Sequence, residues 1–135
     1  KEDLKRTRTG MVLGTPMYMS PEQCVGEKTL DARSDVYSLG VVAFETLTGR
    51  TPFTSDAVGK LIVAHAHEPP PMPSSIEPSL PVGMDEIVLK ALAKRREERF
   101  ATMRELRRAL DAAWRSRCGA RARRRGPEPV WRAGG

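Results

Sequence analysis

The chain has 135 residues, which is room for one domain with a modest, mainly aliphatic core, because 39% of the residues are hydrophobic and 5% are aromatic. The net charge of +6 lies in one segment: residues 115–135 hold seven Arg and one Glu, whereas the rest of the chain is balanced. The two cysteines have no ligand spacing and suit a reducing cytoplasm better than a disulfide framework or a zinc site. No run approaches the roughly 20 apolar residues of a membrane-spanning helix. The chain begins with Lys1, and we expect it to be part of a longer protein.

The first stretch of the chain is polar and charged. Residues 1–13 show neither a helical nor a strand period, so we predict a surface loop. Thr7 and Thr9 lie among Lys and Arg residues in this loop. They are either solvated loop residues or phosphorylation sites, since a phosphate adds up to about two negative charges and would attach the loop to nearby cations.

A capped turn is predicted for residues 14–23, with the sequence GTPMYMSPEQ. Ser20 is suited to cap a short helix that starts at Pro21, and Glu22 then lies near the positive end of that helix.

The most apolar segment runs from Asp35 to Thr48, where apolar residues cover nearly every side of a helix. Such a helix is normally buried on all sides. Ser34 or Asp35 would cap its start and Gly49 would end it in the left-handed conformation. We therefore expect the rest of the fold to be built around this helix.

Further helices are predicted after the central one. An amphipathic helix over residues 56–66, capped by Ser55 or Asp56, precedes a proline-rich connector over residues 68–81 in which we expect neither helix nor central strand. Helices then start at Met84 and behind a capping box over residues 102–105. The Arg-rich residues 115–135 are predicted to be a disordered tail, with binding to nucleic acid or an acidic membrane as the alternative.

Taken together, these motifs resemble the C-terminal lobe of serine/threonine protein kinases of the bacterial eukaryotic-like type. Residues 20–22, Ser-Pro-Glu, stand in place of the Ala-Pro-Glu motif that ends the activation segment. Residues 35–40, DVYSLG, resemble the Asp-x-Trp-Ser-x-Gly motif that opens the central helix, with Tyr in place of Trp. Residues 91–100, ALAKRREERF, resemble the family's Ala-Leu-x-x-Asp-Pro-x-x-Arg-Phe segment, with Arg-Arg where Asp-Pro is usual.

The resemblance implies a mainly α fold: the helical C-terminal lobe of the protein-kinase-like fold, without the β-rich N-terminal lobe and the catalytic loop. Residues 1–114 would form a partial protein kinase domain that starts within the activation segment, and residues 115–135 would be the Arg-rich tail. The central helix would then lose part of its usual cover, since the catalytic loop and the helix before it are absent from this sequence.

The resemblance also implies roles for eight residues, none of them catalytic. Arg99 would form a buried ion pair with Glu22, Thr15 would bond the catalytic Asp of the intact kinase, and Asp35 would hold the backbone of the catalytic loop. The implied roles are phosphorylation for Thr7 and Thr9, substrate positioning for Gly14, Thr15 and Tyr18, and structural support for Glu22, Asp35 and Arg99.

The sequence contains no glycine-rich phosphate loop, no phosphate-binding Lys motif, no His-Arg-Asp and no Asp-Phe-Gly. The resemblance therefore implies part of a serine/threonine protein kinase, a transferase that moves the γ-phosphate of ATP to Ser or Thr of protein substrates. This part would not be active alone. ATP and Mg²⁺ would bind to the intact kinase, and no cofactor or metal is assigned to the residues of this chain.

The expected partners are a protein substrate, the missing N-terminal lobe and catalytic loop of the same kinase, and a second kinase in a homodimer. No specific nucleic acid is expected. The expected location is the cytoplasm, with membrane anchoring of the full-length protein left open. The alternative function is a non-catalytic kinase remnant or a protein-docking module that uses the same surface without chemistry.

Overall fold

A computed structural model of the chain describes residues 16–124, with side chains described as far as Arg117. Thr7, Thr9, Gly14 and Thr15 lie outside the described residues, as does the end of the tail, residues 125–135. The described part is helical and contains no strand, which agrees with the predicted mainly α class. Its elements are two 3₁₀ turns, Pro16–Tyr18 and Arg96–Glu98, and the helices α1 Pro21–Cys24, α2 Ala32–Thr48, α3 Val58–His67, α4 Pro73–Ile76, α5 Met84–Ala91 and α6 Met103–Arg124.

Helix α2 is the centre of the fold, in contact with the first 3₁₀ turn, α4, α5 and α6. It begins at Ala32, earlier than the predicted Asp35, because Asp31 caps it through a hydrogen bond from the Arg33 N–H. The predicted caps Ser34 and Asp35 are therefore wrong; both lie in the first turn of the helix. Gly49 ends the helix as predicted, with a φ of 80°.

The core forms where α2 meets α5 and α6. Its main cluster unites buried residues of all three helices and the loop after α5: Tyr37, Val41, Phe44, Met84, Val88, Leu92 and Ala113. Gly40 allows the close approach of α5, since a Cβ at this position would lie 2.8 Å from the Cβ of Ala91. One face of α2 is open, with Val42 44% exposed, as expected for a sequence that lacks the catalytic loop and the helix before it.

Two of the shorter helices differ from the prediction. Helix α3 starts at Val58 after Ala57, which makes no side-chain cap bond; Ser55 instead accepts a hydrogen bond from the Ala57 N–H. The proline-rich connector was predicted to contain no helix, yet α4 forms one turn that begins at Pro73. This is consistent with the physics of proline, because the first helical position requires no N–H donor.

Helix α6 begins with the predicted cap, in which Thr102 Oγ1 accepts a hydrogen bond from the Glu105 N–H. The Glu105 carboxylate accepts from the N–H of Ala101 rather than from that of Thr102. The helix then continues beyond Trp114 to Arg124, so disorder from residue 115 was the wrong prediction for residues 115–124. Arg and Ala, which dominate this stretch, are strong helix formers. None of the described helices is long and apolar enough to cross a bilayer.

Candidate functional site

A buried ion pair joins helix α1, near the start of the described residues, to the segment just before α6. Arg99 Nη1 and Nη2 donate to the two carboxylate oxygens of Glu22 at 2.8 and 2.7 Å, across a separation of 77 residues. The guanidinium also donates from Nε to the Ala93 carbonyl, from Nη1 to the Arg33 carbonyl and from Nη2 to the Lys94 carbonyl. All five N–H donors of the guanidinium are therefore used. This is the contact that the kinase resemblance implies.

The Glu22 carboxylate is held ionised by these contacts. Its side chain is 4% exposed, and Ser34 Oγ donates a third hydrogen bond to it at 2.7 Å. Burial raises the pKa of Glu22, but the hydrogen bonds from Arg99 and Ser34 outweigh burial and lower the pKa to about 2. Sequence reasoning did not find Ser34 as a partner, because it assigned this residue to the cap of α2.

The two arginines that depart from the family pattern, Arg95 and Arg96, have different environments. Arg96 forms an ion pair with Glu27 and donates to the Thr29 carbonyl, so it attaches the connector between α1 and α2 to the second 3₁₀ turn. Arg95 is largely exposed and lies 3.9 Å from Glu97. Arg96 therefore has a structural role that the sequence pattern did not reveal.

The first 3₁₀ turn is attached to α2 at two points. The Tyr18 hydroxyl donates to Glu45 at 2.6 Å, and Ser38 Oγ donates to the Tyr18 carbonyl at 2.7 Å. The hydrogen bond to Glu45 raises the pKa of Tyr18. Helix α1 follows directly, with Ser20 and Gln23 forming a complete capping box. Tyr18 thus attaches the segment from Pro16 to Cys24 to α2, and Glu22 attaches it to Arg99.

A polar cluster lies beneath this segment. The hydroxyl of Tyr37 on α2 lies 2.8 Å from Nδ1 of His65 on α3, and both side chains are fully buried. Lys94 Nζ donates to the carbonyls of Ala64 and His65 at the end of α3 and lies 4.6 Å from the centre of the Phe53 ring. Burial lowers the pKa of Lys94 to about 8 and the pKa of His65 to about 4. No motif in the sequence indicates this cluster, because its members come from separate parts of the chain.

Asp35 is exposed on the first turn of α2, and its implied partner, the catalytic loop, is not in this sequence. The phosphorylation candidates Thr7 and Thr9 and the substrate-positioning candidates Gly14 and Thr15 lie outside the described residues. Of the substrate-positioning candidates, the structure therefore places only Tyr18, which it attaches to the central helix.

An open apolar groove of about 660 Å³ runs between α2 and α6. Leu39, Val42 and Leu47 line it from α2, and Leu110 and Trp114 line it from α6. Val42 is 44% exposed and Trp114 is 47% exposed. The groove is the uncovered face of the central helix, and it lies on the side of α2 where the fold has no further described layer.

Comparison with known proteins connects these features to one family. The protein kinase domain family matches residues 2–114. The serine/threonine-protein kinase Pkn1 of Myxococcus xanthus is 40% identical over 124 residues, which are 92% of this chain and 18% of that protein. The serine/threonine-protein kinase PknB of Mycobacterium tuberculosis is 48% identical over 101 residues, which are 75% of this chain and 16% of that protein.

The fold agrees with these sequence matches. The twitchin kinase region from C. elegans superimposes with a TM-score of 0.63 at 22% identity, over 75% of this chain and 17% of that chain. The chain thus spans less than a fifth of the length of these relatives. Since the family match covers residues 2–114 and the helical fold agrees with it, the chain belongs to the protein kinase domain family.

Proposed function

We propose that this chain is the substrate-facing part of a serine/threonine protein kinase, an enzyme that transfers the γ-phosphate of ATP to Ser or Thr of protein substrates. The Arg99–Glu22 pair carries the proposal, because it fixes the segment that follows the activation loop onto a helical scaffold. The names of the matched bacterial relatives support the choice of Ser and Thr as acceptors. Residues 1–114 are the proposed kinase portion.

The proposed substrate surface lies in and before the first 3₁₀ turn. Gly14, Thr15 and Tyr18 would position the acceptor residue and its neighbour, and Tyr18 is held for this task by its bonds to Glu45 and Ser38. Phosphorylation of Thr7 or Thr9 would add negative charge to a basic loop and so attach it to nearby cations. That change is the proposed activating switch.

Among the described residues no group of three His, Cys, Asp or Glu could hold a metal ion, and the sequence contains none of the motifs that hold ATP and Mg²⁺ in kinases. We assign no step of the transfer to a metal or nucleotide in this chain. A segment with the glycine-rich loop, the phosphate-binding Lys, His-Arg-Asp and Asp-Phe-Gly would supply that site. We propose that this segment also covers the apolar groove, since the groove exposes the face of α2 that a complete kinase would bury.

The proposed partners follow from this arrangement. They are a protein substrate on the first 3₁₀ turn and the catalytic segment in the groove. A second copy of the assembled kinase, as a homodimer, is a separate proposal that sedimentation would test. The kinase portion is proposed to work in the cytoplasm, whether or not the full-length protein is anchored to a membrane.

The test fuses the chain to a kinase segment that carries the catalytic motifs absent from this sequence. The part of M. xanthus Pkn1 that precedes its match to this chain is fused in register before Lys1. Transfer from radiolabelled ATP to a Ser/Thr peptide library is then measured. We expect transfer by the fusion, none by the 135-residue chain, and no micromolar ATP binding by that chain in calorimetry. Tight ATP binding by the chain alone would contradict the proposal.

Two variants of the fusion separate substrate positioning from folding. Thr15→Val should abolish transfer to Ser and Thr peptides while leaving ATP binding to the fusion intact. Thr54→Ala, at an exposed threonine away from the proposed site, should leave transfer unchanged. If both variants transfer phosphate equally well, Thr15 does not position the acceptor.

A further inference from the structure

Helix α6 concentrates the positive charge of the chain. Its 22 residues hold eight Arg against one Glu and one Asp, a net charge of +6. Residues 16–102 hold nine Lys and Arg against twelve Asp and Glu, a net charge of −3. Among the described side chains of α6, only Arg107 forms an ion pair, with Asp111 at 3.8 Å, and both of these side chains are exposed. The structure is therefore a basic helix on an acidic body.

The helix has two parts with different surroundings. Leu106 and Ala113 are buried and Leu110 packs against the core, so the first part of the helix is anchored to α2 and α5. After Ala113 no described side chain is buried, yet the helix continues to Arg124. Residues 115–124, here called the extension, add about 15 Å of helix at ~1.5 Å per residue. They also follow the last residue of the kinase family match.

The arginine positions of the extension are distributed around the helix. Successive residues of a helix are turned by about 100°, so positions 115, 117, 121, 123 and 124 leave no free arc wider than about 120°. A helix that lies on a membrane surface needs an apolar face along its length, and this sequence does not provide one. The favourable effect of cations on a helix C-terminus acts only within the last turn, so it does not account for Arg115 and Arg117.

Arginines on every side fit a partner that presents phosphates on both sides of the helix. The major groove of B-form DNA is about 12 Å wide, with a phosphate backbone along each edge, and a helix with its side chains is about 10–12 Å across. The major groove of A-form RNA is too deep and narrow to be read in this way. Because the rest of the described chain is acidic, repulsion from the phosphates would favour contact through the extension.

The side chains of the extension favour phosphate contacts over base recognition. Arg is well suited to bind phosphate oxygens, and the extension contains no Asn or Gln to read adenine. Its one hydroxyl proton is already used, since Ser116 Oγ donates to the Ala112 carbonyl at 3.0 Å. The Arg117 guanidinium lies 5.5 Å from the centre of the Trp114 ring, a contact to the face of the guanidinium that leaves its N–H donors available.

We propose that α6 is a DNA-binding element whose extension lies in the major groove of duplex DNA and binds the phosphates of both strands through arginine, without sequence preference. The proposal does not depend on the kinase function, because the extension follows residues 1–114, to which that function is assigned. The acceptor chemistry is that of a polyphosphate duplex, and an anionic membrane is the competing partner.

The first test measures how salt affects DNA binding by the 135-residue chain. Fluorescence anisotropy follows its binding to a fluorescein-labelled duplex of about 20 base pairs at 50 to 200 mM salt. Five arginine contacts predict a slope of about −4.5 in log affinity against log salt concentration, which is a roughly 500-fold loss over this range. A duplex of scrambled sequence should bind equally. Absence of binding at 50 mM salt, an affinity that does not change with salt, or a clear preference for one duplex would overturn the proposal.

Charge variants locate the contact on the chain. Arg115→Gln combined with Arg117→Gln removes two proposed phosphate contacts, so the affinity at 100 mM salt should fall roughly 60-fold and the salt slope should become shallower by about 1.8. Arg50→Gln combined with Arg95→Gln removes the same charge from exposed positions outside α6 and should leave the slope unchanged. Equal effects of the two pairs would show that net charge alone attracts the DNA.

A helix-breaking variant and lipid vesicles separate the groove from other anionic surfaces. Ala120→Pro keeps every charge but interrupts the extension, so DNA binding should weaken by at least about tenfold, whereas Ala120→Ser should bind as wild type does. Vesicles of phosphatidylglycerol and phosphatidylcholine should bind the chain more weakly than the duplex does at the same salt concentration. Unchanged DNA affinity in Ala120→Pro would refute the placement in the groove, and tighter binding to the vesicles would identify a membrane as the partner instead.

Discussion

Replacing Arg99 by methionine tests what holds the substrate-facing segment onto the helices. The substitution keeps much of the side-chain volume but removes five hydrogen bonds and leaves the Glu22 carboxylate buried without its cation. The arginine side chain is 0% exposed and the carboxylate 4%, so water cannot take over the lost contacts. Removing one partner of such a buried pair costs about 3–5 kcal/mol.

That cost is large for a chain of this size. A domain is stable by about 5–15 kcal/mol, so the variant should lose a large fraction of its free energy of unfolding, or show no cooperative transition at all. The assay is urea unfolding followed by far-UV circular dichroism at low protein concentration. The matched control is Arg95→Met, which removes the same charge from an exposed ion pair and should change stability by less than about 1 kcal/mol.

The pH dependence of the stability difference between wild type and Arg99→Met shows whether the Glu22 carboxylate causes it. Glu22 has a pKa near 4.5 when unfolded and about 2 when folded, so the pair stabilises the fold above pH 4.5 and loses that contribution as the pH falls through 2. The gap between wild type and Arg99→Met should therefore narrow over this window. Equal destabilisation by Arg99→Met and Arg95→Met would show that the buried pair does not stabilise the fold more than an exposed one.

Three further predictions concern other parts of the fold. The open apolar groove should make the isolated chain self-associate. Val42→Glu should reduce this association in sedimentation velocity, whereas Val82→Glu, at a 99% exposed position outside the groove, should not; equal effects would contradict a role of the groove. The pKa of His65 falls from 6.5 to about 4 on folding. The free energy of unfolding should therefore decrease by up to roughly 1.4 kcal/mol per pH unit as the pH falls from 6.5 to 4. Urea titrations of His65→Gln should not show this pH dependence. Gly40→Ala should destabilise the fold by about 1–3 kcal/mol, because its Cβ would lie 2.8 Å from an α5 side chain. Gly59→Ala meets nothing within 4 Å and should stabilise the fold by about 0.5–1 kcal/mol. A higher melting temperature for Gly40→Ala than for Gly59→Ala would contradict this packing.

Local signals in the sequence predicted the local features of the fold. Ser20 before Pro21, Thr102 before Glu105 and Gly49 after an apolar run each act through hydrogen bonds or backbone angles within a few residues, and the structure contains all three. The predicted start of α2 is wrong because Asp31, Ser34 and Asp35 are all residue types that can cap a helix, and the structure uses the first of them. Short-range chemistry permits several caps, and tertiary packing selects one.

Long-range contacts were accessible only through the family resemblance. Nothing in the spacing of Glu22 and Arg99 indicates that they meet across 77 residues; the kinase motifs did. The Tyr37–His65 bond and the role of Arg96 were missed because no family pattern names them, and a buried polar pair leaves no periodic signal in the sequence. The open face of α2 likewise follows only from the kinase resemblance, because it is the absent catalytic loop and the helix before it that would cover this face.

The central claim is that this chain forms part of a working serine/threonine kinase, and the most direct measurement is the sequence of the native transcript upstream of the Lys1 codon. We expect an open reading frame that continues, in order, through a glycine-rich loop, a phosphate-binding Lys, His-Arg-Asp and Asp-Phe-Gly. An in-frame stop codon or unrelated sequence at that position would contradict it, and the remaining function of the chain would then have to come from binding alone.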